Sequence, residues 1–255
     1  VIGHIVMVAG IGLLLRDRRL HNLLMVYTVV LVIGGALVIN AGDSWHFAGA
    51  PNLGGSDGET YFLQAGLLAE QGIFDFRNLI KLNYYGYQIY LALWFSLFGV
   101  YLGVGLAANN LLLLLSAVAL YRATDLLTDS RRAAYLACLV FMLTTVNIFN
   151  SLVLLKDTAI GLSFALILLT LAEVHKDSSR RLWPTVYFFV ALLIIITMRS
   201  PLIIFLGVLL FFVGNIILRR SGLILAIFIL LLFLMAPLAQ YFTVHEVSDE
   251  NFLSR

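Results

Sequence analysis

Long apolar runs constrain the fold of this 255-residue chain more than any other feature of its sequence. Residues 111–115 and 223–234 are apolar at every position, and 62% of the chain is hydrophobic while only 12% is charged. Soluble domains are about a quarter charged. A transmembrane helix needs roughly 20 apolar residues, whereas the strands of a β-barrel would alternate apolar with polar residues. The sequence therefore predicts an all-α polytopic membrane protein, with residues 1–255 forming a single transmembrane domain.

Basic residues lie between the apolar runs and predict the orientation of the chain. Most of the 16 Lys and Arg residues fall into four clusters, within 16–19, 122–132, 176–181 and 219–220. The loop at 40–85 instead carries five acidic and two basic residues. Lys and Arg are enriched in cytoplasmic loops. We therefore expect the clusters in the cytoplasm and the 40–85 loop on the periplasmic or extracellular face of an inner or plasma membrane.

This orientation predicts about eight membrane spans. They are expected at 1–15, 23–39, 104–121, 133–150, 158–174, 184–198, 201–218 and 221–240. Residues 86–103 are also apolar enough to cross, but a crossing there would reverse the orientation of every later cluster. We therefore interpret 86–103 as a re-entrant, interfacial or steeply bent helix, because its tyrosine and tryptophan side chains suit the headgroup region. If 86–103 does span, either the charge rule fails downstream or a neighbouring segment does not cross.

Residue usage argues against several chemistries. The single cysteine, Cys138, lies in an apolar run and is expected to be a small buried residue without an intrachain disulfide. The five histidines show no zinc-binding spacing, and the short basic clusters predict no nucleic-acid partner. The chain begins at Val1 within an apolar run and without an initiator methionine, so we expect the whole protein to be longer.

Charged residues next to the outer ends of the spans are the first functional candidates. The predicted topology places Asp57, Glu59, Lys156, Asp157 and Arg199 on the same outer side. An ionisable group at membrane depth costs several kcal/mol unless it is paired or hydrated. We therefore expect these five residues to converge on a functional site.

The segment at 56–72, SDGETYFLQAGLLAEQG, predicts an amphipathic helix next to the membrane. Its apolar face would carry Tyr61, Ala65, Leu68 and Ala69. In a structural interpretation Ser56 or Asp57 caps this helix and Glu59 stabilises its positive end. In a functional interpretation Asp57 is a general base or a metal ligand at the membrane surface. Both interpretations stay open from these residues alone.

The same segment resembles the first outer loop of the GT-C fold glycosyltransferases. The shared pattern is D-x-E-x-x-Y-x-x-x-A-x-x-L-A-x-x-G, which runs from Asp57 to Gly72. The nearest group is the protein mannosyltransferases and aminoarabinose transferases, which use polyprenyl-phosphate sugars. The segments NYYGYQIYLALWFSLFG and SLVLLKDTAIGLSFALIL follow in the same order as in that group, and the resemblance covers about 23–200. The chain departs from the group's pattern at Tyr84-Tyr85-Gly86, where a proline pair is usual, and at Lys156-Asp157, where many members have a lone acid.

The resemblance implies a GT-C-like helical bundle with a long first outer loop carrying juxtamembrane helices. It implies a membrane glycosyltransferase that moves a sugar from a polyprenyl-phosphate donor to an acceptor hydroxyl. Asp57 would be the catalytic base, and Glu59 and Asp157 would orient hydroxyls or, with Asp57, hold a divalent cation. Lys156 and Arg199 would neutralise the lipid phosphate.

The sequence leaves open the role of the aromatic residues after the loop and the choice between alternative functions. The aromatic residues that follow the loop, among them Tyr85, either line a sugar or lipid groove or form an interfacial belt. The alternative functions are a polysaccharide polymerase or ligase acting on lipid-linked glycan and a non-catalytic subunit of a membrane complex. A transporter is disfavoured, because we find no internal repeat and no matched pair of interrupted helices.

The topology is tested by placing single cysteines at Ser56 and Ser130 in a chain whose Cys138 is replaced. We expect a membrane-impermeant thiol reagent to label the cysteine at position 56 from outside and the cysteine at position 130 only from the cytoplasmic side. Labelling of both positions from one side would contradict the predicted orientation.

Overall fold

A computed structural model of the chain describes residues 17–40, 56–72, 85–176 and 182–198, all within the unit Val1–Met198. These residues form eight α-helices and, within the described ranges, no strand. The helices are α1 Arg18–Asn40, α2 Ser56–Gln71, α3 Tyr85–Phe98, α4 Leu102–Thr128, α5 Arg131–Leu143, α6 Thr145–Leu152, α7 Asp157–Lys176 and α8 Leu182–Met198. The all-α prediction is confirmed for this part of the chain.

Three of these helices are long and apolar enough to cross a membrane. They are α1, over Arg18–Leu37, together with α4 and α7, and the shorter apolar helix α8 has 17 residues. Large apolar side chains lie on the surface, for example Val26 at 64% and Leu193 at 62% exposure. Such surfaces are expected where the surrounding solvent is lipid. The spans predicted at 1–15, 201–218 and 221–240 lie outside the described residues.

Short polar residues define the helix ends at one side of the bundle. The Asp17 carboxylate caps α1, because its Oδ1 accepts hydrogen bonds from the backbone N–H groups of Arg19 (2.9 Å) and Leu20 (3.3 Å). Asp129 ends α4 in the left-handed conformation, with φ of 51°. Ser130 then caps α5, since its Oγ accepts from the Ala133 N–H at 3.3 Å. The chain therefore reverses direction within two residues.

The segment 133–150, for which a membrane span is predicted, consists of two helices. Helix α5 ends at Leu143, and α6 begins at Thr145 after the non-helical residue Thr144, with φ −62° and ψ 128°. The Thr144 hydroxyl donates to the Val140 carbonyl at 2.9 Å, and the Asn147 amide donates to the Phe141 carbonyl at 2.6 Å. These side chains satisfy carbonyl groups around the break, where water is scarce.

The segment 86–103 is divided by a glycine. Helix α3 has 14 residues and is followed by Gly99, whose φ of 88° is open to glycine and strained for other residues. At 1.5 Å per residue α3 is about 21 Å long, which is less than the roughly 30 Å of the hydrocarbon core. This length agrees with the interpretation that 86–103 does not cross, and the number of crossings stays a prediction.

Helix α4 is the centre of the described bundle and contacts α1, α3, α5, α6 and α7. Helices α4 and α7 run parallel, since Asn109 bonds to Thr158 near their starts and Arg122 pairs with Glu173 near their ends. Small residues line their contact and let the two backbones approach closely. The buried alanines of this contact are Ala119, Ala123, Ala165 and Ala172. Cys138 is fully buried beside α1 and α4, as predicted.

The bundle has two chemically distinct ends. At one end, which we call the basic end, lie Arg18–Arg19, Arg122, Arg131–Arg132 and Lys176. At the opposite end, which we call the Asn109 end, lie the start of α7 and the end of α8. Residues from three predicted basic clusters therefore share one end, although they are far apart in sequence. The side of the membrane on which each end lies stays a prediction.

The Asn109 end depends on a close approach between α3 and α8. A Cβ atom at Gly86 would lie 2.5 Å from the Thr197 Cβ and 3.1 Å from its carbonyl carbon. We expect Gly86→Ala to lower the free energy of unfolding by about 1–3 kcal/mol, because the two helices would have to separate. The measurement is unfolding of the purified chain in mixed detergent micelles, followed by helical circular dichroism.

Gly161→Ala is the matched control, because a Cβ at that position in α7 meets nothing within 4 Å. It should be neutral or stabilise the fold by up to about 1 kcal/mol, since alanine favours a helix over glycine. Equal stability of the two alanine variants would contradict the close packing of α3 on α8.

Candidate functional site

The two candidate acids of the outer loop lie in the first turn of α2. Asp57 and Glu59 are both exposed there, and their charges suit the positive end of the helix. Helix α2 begins at Ser56, so Asp57 belongs to the helix and does not precede it as a cap. Tyr61, Ala65 and Leu68 are buried, which confirms the predicted apolar face.

Lys156 and Asp157 stand at the start of α7, with Lys156 half-buried and Asp157 exposed. The Lys156 ammonium lies 5.6 Å from the centroid of the Tyr61 ring, which is a cation–π distance. Tyr61 follows Asp57 by one helical turn and therefore shares its side of α2. The structure thus brings the start of α2 and the start of α7 together, although about a hundred residues separate them.

The remaining two predicted site residues are Arg199 and Tyr85. Arg199 lies outside the described residues, directly after the last residue of α8, Met198. Tyr85 begins α3, and its side chain also lies outside the described part. The end of α8 lies beside the start of α3, since Thr197 is next to Gly86.

The buried side-chain amide of Asn109 connects the helices at this end of the bundle. Its Nδ2 donates to the carbonyl oxygens of Asn150 (2.5 Å) and Val153 (2.8 Å), where α6 ends. Its Oδ1 accepts from the Tyr87 hydroxyl at 3.1 Å and from the Thr158 hydroxyl. The amide therefore joins α3, α4, the end of α6 and the start of α7.

Sequence reasoning missed Asn109, although a signal was present. The pair Asn109-Asn110 interrupts the apolar helix LGVGLAANNLLLLL, and polar side chains inside such a helix are functional candidates by default. The same structural role explains Thr158, whose single hydroxyl proton is shared between Asn109 Oδ1 and the Leu155 carbonyl, 2.9 Å away. These hydrogen bonds hold the turn that carries Lys156.

Helix α3 is attached to its neighbours by further buried polar contacts. The Tyr90 hydroxyl donates to the Ala108 carbonyl at 2.6 Å, and the Gln88 amide donates to the Gln64 side chain at 3.0 Å. Gln88 is 1% exposed, so this amide pair lies inside the contact between α2 and α3. The position of α2 is therefore set by α3, and that of α3 by α4.

The aromatic run of α3 serves mainly as packing. Tyr87 and Phe95 are buried, and Tyr87 meets the Tyr61 ring edge to face at 5.2 Å. Trp94 stacks on Phe98 at 5.7 Å between ring centroids. The expectation of a groove or an interfacial belt is thus wrong for Tyr87 and Phe95, because tertiary contacts enclose their side chains.

The proposed metal ligands do not gather into a site within the described ranges. No three side chains of His, Cys, Asp or Glu there, including Asp57, Glu59 and Asp157, form a group that could hold a metal ion. This end of the bundle presents the exposed carboxylates of Asp57, Glu59 and Asp157 and the half-buried ammonium group of Lys156. Carboxylates accept protons from hydroxyl groups, and an ammonium group stabilises phosphate oxygens.

No protein-family model, curated protein or solved structure matches the chain. Its class therefore rests on the fold. The described part is an α-helical protein with three helices long and apolar enough to cross a membrane.

We expect Asn109→Leu to lower the free energy of unfolding by about 1–3 kcal/mol or more, because two carbonyls and two hydroxyls each lose a buried hydrogen bond. Unfolding in mixed detergent micelles measures this change. Ser96→Ala is the control, since the Ser96 hydroxyl bonds only within its own helix, to the Ala92 carbonyl. A loss no larger than that of the control would contradict the joining role of Asn109.

Proposed function

We propose that the chain is a membrane glycosyltransferase that uses a polyprenyl-phosphate sugar and acts at the Asn109 end. The observation that carries the proposal is the meeting of α2 and α7, where the Lys156 ammonium lies 5.6 Å from the Tyr61 ring. Two exposed acids and a lysine–aspartate pair thereby occupy neighbouring helix starts. The sequence pattern from Asp57 to Gly72 supports the same function.

In this proposal Asp57 is the general base. Its carboxylate takes the proton of the acceptor hydroxyl while the acceptor oxygen forms a bond to the anomeric carbon of the sugar. The bond between that carbon and the phosphate oxygen breaks, and the electron pair leaves with the polyprenyl phosphate. Exposure of Asp57 suits this role, because an acceptor must reach the carboxylate.

The leaving phosphate requires positive charge in a site of low dielectric constant. Lys156 fits this role, since the contact with the Tyr61 ring directs its ammonium group towards α2. Arg199 is the second candidate on sequence grounds alone. Glu59 and Asp157 would orient hydroxyl groups of the sugar or acceptor.

One observation favours a second function, that of a non-catalytic subunit of a membrane complex. Asp57 and Glu59 occupy the first turn of α2, where acids stabilise a helix by about 0.3–1 kcal/mol without any chemistry. Replacing the Asp57 carboxylate by an amide strongly reduces sugar transfer if Asp57 is the base, but changes only the stability of α2 if it is not. This substitution therefore separates the two functions.

Asp57→Asn keeps the size of the side chain but removes the base. We expect sugar transfer to fall by roughly 100-fold or more. The assay uses the full chain in proteoliposomes, a panel of polyprenyl-phosphate-linked sugars, and hydroxyl-bearing peptide and glycolipid acceptors. Gel filtration and helical circular dichroism report whether the variant is folded.

Glu70→Gln is the matched control, because Glu70 is also exposed on α2 but lies near its other end. It should transfer sugar at close to the parental rate. If Asp57→Asn and Glu70→Gln are equally active, Asp57 is not the base. If the folded parent transfers no sugar from any donor, the second function is favoured.

A further inference from the structure

A cleft at the basic end has no role in the proposed transfer. It has a volume of about 950 Å³ and lies between the starts of α1 and α5 and the later part of α4. Four arginines line it, namely Arg18, Arg19, Arg131 and Arg132. Two sequence segments more than a hundred residues apart thus contribute equally to one positive surface.

These arginines are placed where they oppose helix stability. Each pair occupies the first turn of its helix, and neither α1 nor α5 has an acidic residue in that turn. A cation near a helix N-terminus is unfavourable, since the helix dipole is positive there. An anion bound in the cleft would offset this unfavourable electrostatic energy, because two helix N-termini and four guanidinium groups would all attract it.

The nearest carboxylate, Asp17, is already engaged in structural contacts. Its Oδ1 caps α1, and its Oδ2 accepts a hydrogen bond from the Tyr121 hydroxyl at 2.6 Å. That hydrogen bond is the main reason why the pKa of Asp17 is lowered, so the carboxylate is charged at neutral pH. In the described part of the chain none of the four arginines forms an ion pair, and all four are exposed. The cleft therefore keeps an excess of positive charge.

The cleft continues onto an apolar surface. Leu23 and Val26 line it, and further along the same helix Val29, Val30 and Ile33 are more than half exposed. This strip belongs to α1, a helix that is long and apolar enough to cross the membrane. A ligand that fits both parts has a phosphate group and an acyl chain that follows α1.

We propose that this cleft binds the phosphate-bearing headgroup of an anionic membrane lipid, with the acyl chain against the exposed face of α1. The arginines supply charge and guanidinium donors for the phosphate oxygens. The cleft then holds a lipid at the end of the bundle opposite to the proposed transfer site. This inference is independent of the proposed function, because it uses none of the candidate catalytic residues.

The experiment measures lipid binding to the full chain, purified and delipidated in detergent, by native mass spectrometry. The probes are dioctanoyl phosphatidylglycerol, dioctanoyl phosphatidylcholine and glycerol phosphate. We expect the parent to retain phosphatidylglycerol in preference to the other two probes. The double variant Arg131→Gln with Arg132→Gln should bind phosphatidylglycerol on the order of 30-fold more weakly, since it removes two basic residues and each one near an anionic headgroup contributes about fivefold to the affinity.

Two further variants test whether lipid binding depends on the cleft itself and not on the overall positive charge of this end or on a folding defect. Arg122→Gln with Lys176→Gln removes as much positive charge from the same end, but these residues pair with Glu173 and Asp129 and do not line the cleft. That variant should bind close to the parent. Asp17→Asn keeps a capping side chain and removes the opposing charge, so it should bind phosphatidylglycerol more tightly.

If the two double variants bound phosphatidylglycerol equally weakly, the proposal would be overturned, because the overall positive charge would then explain the binding. Weaker binding by a folded Asp17→Asn variant would also overturn it. Glycerol phosphate binding as tightly as phosphatidylglycerol would show that a free phosphate, and not a lipid, occupies the cleft. Equal retention of phosphatidylcholine and phosphatidylglycerol by the parent would exclude recognition of the anionic headgroup.

Discussion

The amide of Asn109 is the interaction on which the described part of the chain depends most. The carbonyls of Asn150 and Val153 lie where α6 ends and cannot all be satisfied by helical hydrogen bonds, and unsatisfied carbonyls are costly where water is absent. Asn109 donates to both carbonyls and accepts from Tyr87 and Thr158. One side chain thus fixes a helix end, a neighbouring helix and the start of the next helix relative to α4. Because these groups are neutral, burying them avoids the cost of burying charge.

The candidate functional residues depend on this network through a short series of contacts. Tyr87 packs edge to face against Tyr61, and Tyr61 in turn lies under the Lys156 ammonium. The turn that carries Lys156 is held by the same hydrogen bonds that reach Asn109. The exposed acids of α2 are therefore positioned by buried neutral groups, which is a general way to hold charges at the edge of a membrane protein without burying them.

The basic end differs from the Asn109 end because charged side chains, and not buried neutral groups, lie there. Arg122 in α4 pairs with Glu173 in the parallel helix α7, and Lys176 at the end of α7 pairs with Asp129, which directly follows α4. The arginines at the starts of α1 and α5 have no such partner in the described ranges, and they converge on one cleft. Charged groups of one sign can share a surface when water, counterions or an anionic ligand separates them. The two ends therefore differ in kind, since one is joined by neutral hydrogen bonds and the other carries exposed charge.

The sequence by itself determined the helical class, the positions of α2, α7 and α8 to within about two residues and those of α1 and α4 to within about seven, and the grouping of three basic clusters at one end. These properties depend on local hydropathy and on charge, which each segment carries alone. The helix break at Thr144 was missed although the polar residues Thr144, Thr145 and Asn147 mark it in the sequence, and the freed carbonyls bond to side chains only four to six residues away. Only the tertiary structure decided the partners of Asn109 and the burial of Tyr87, since these depend on which helices pack together. Long-range packing of this kind leaves no local pattern in the sequence, because the residues bonded to Asn109 lie 22 to 49 positions away.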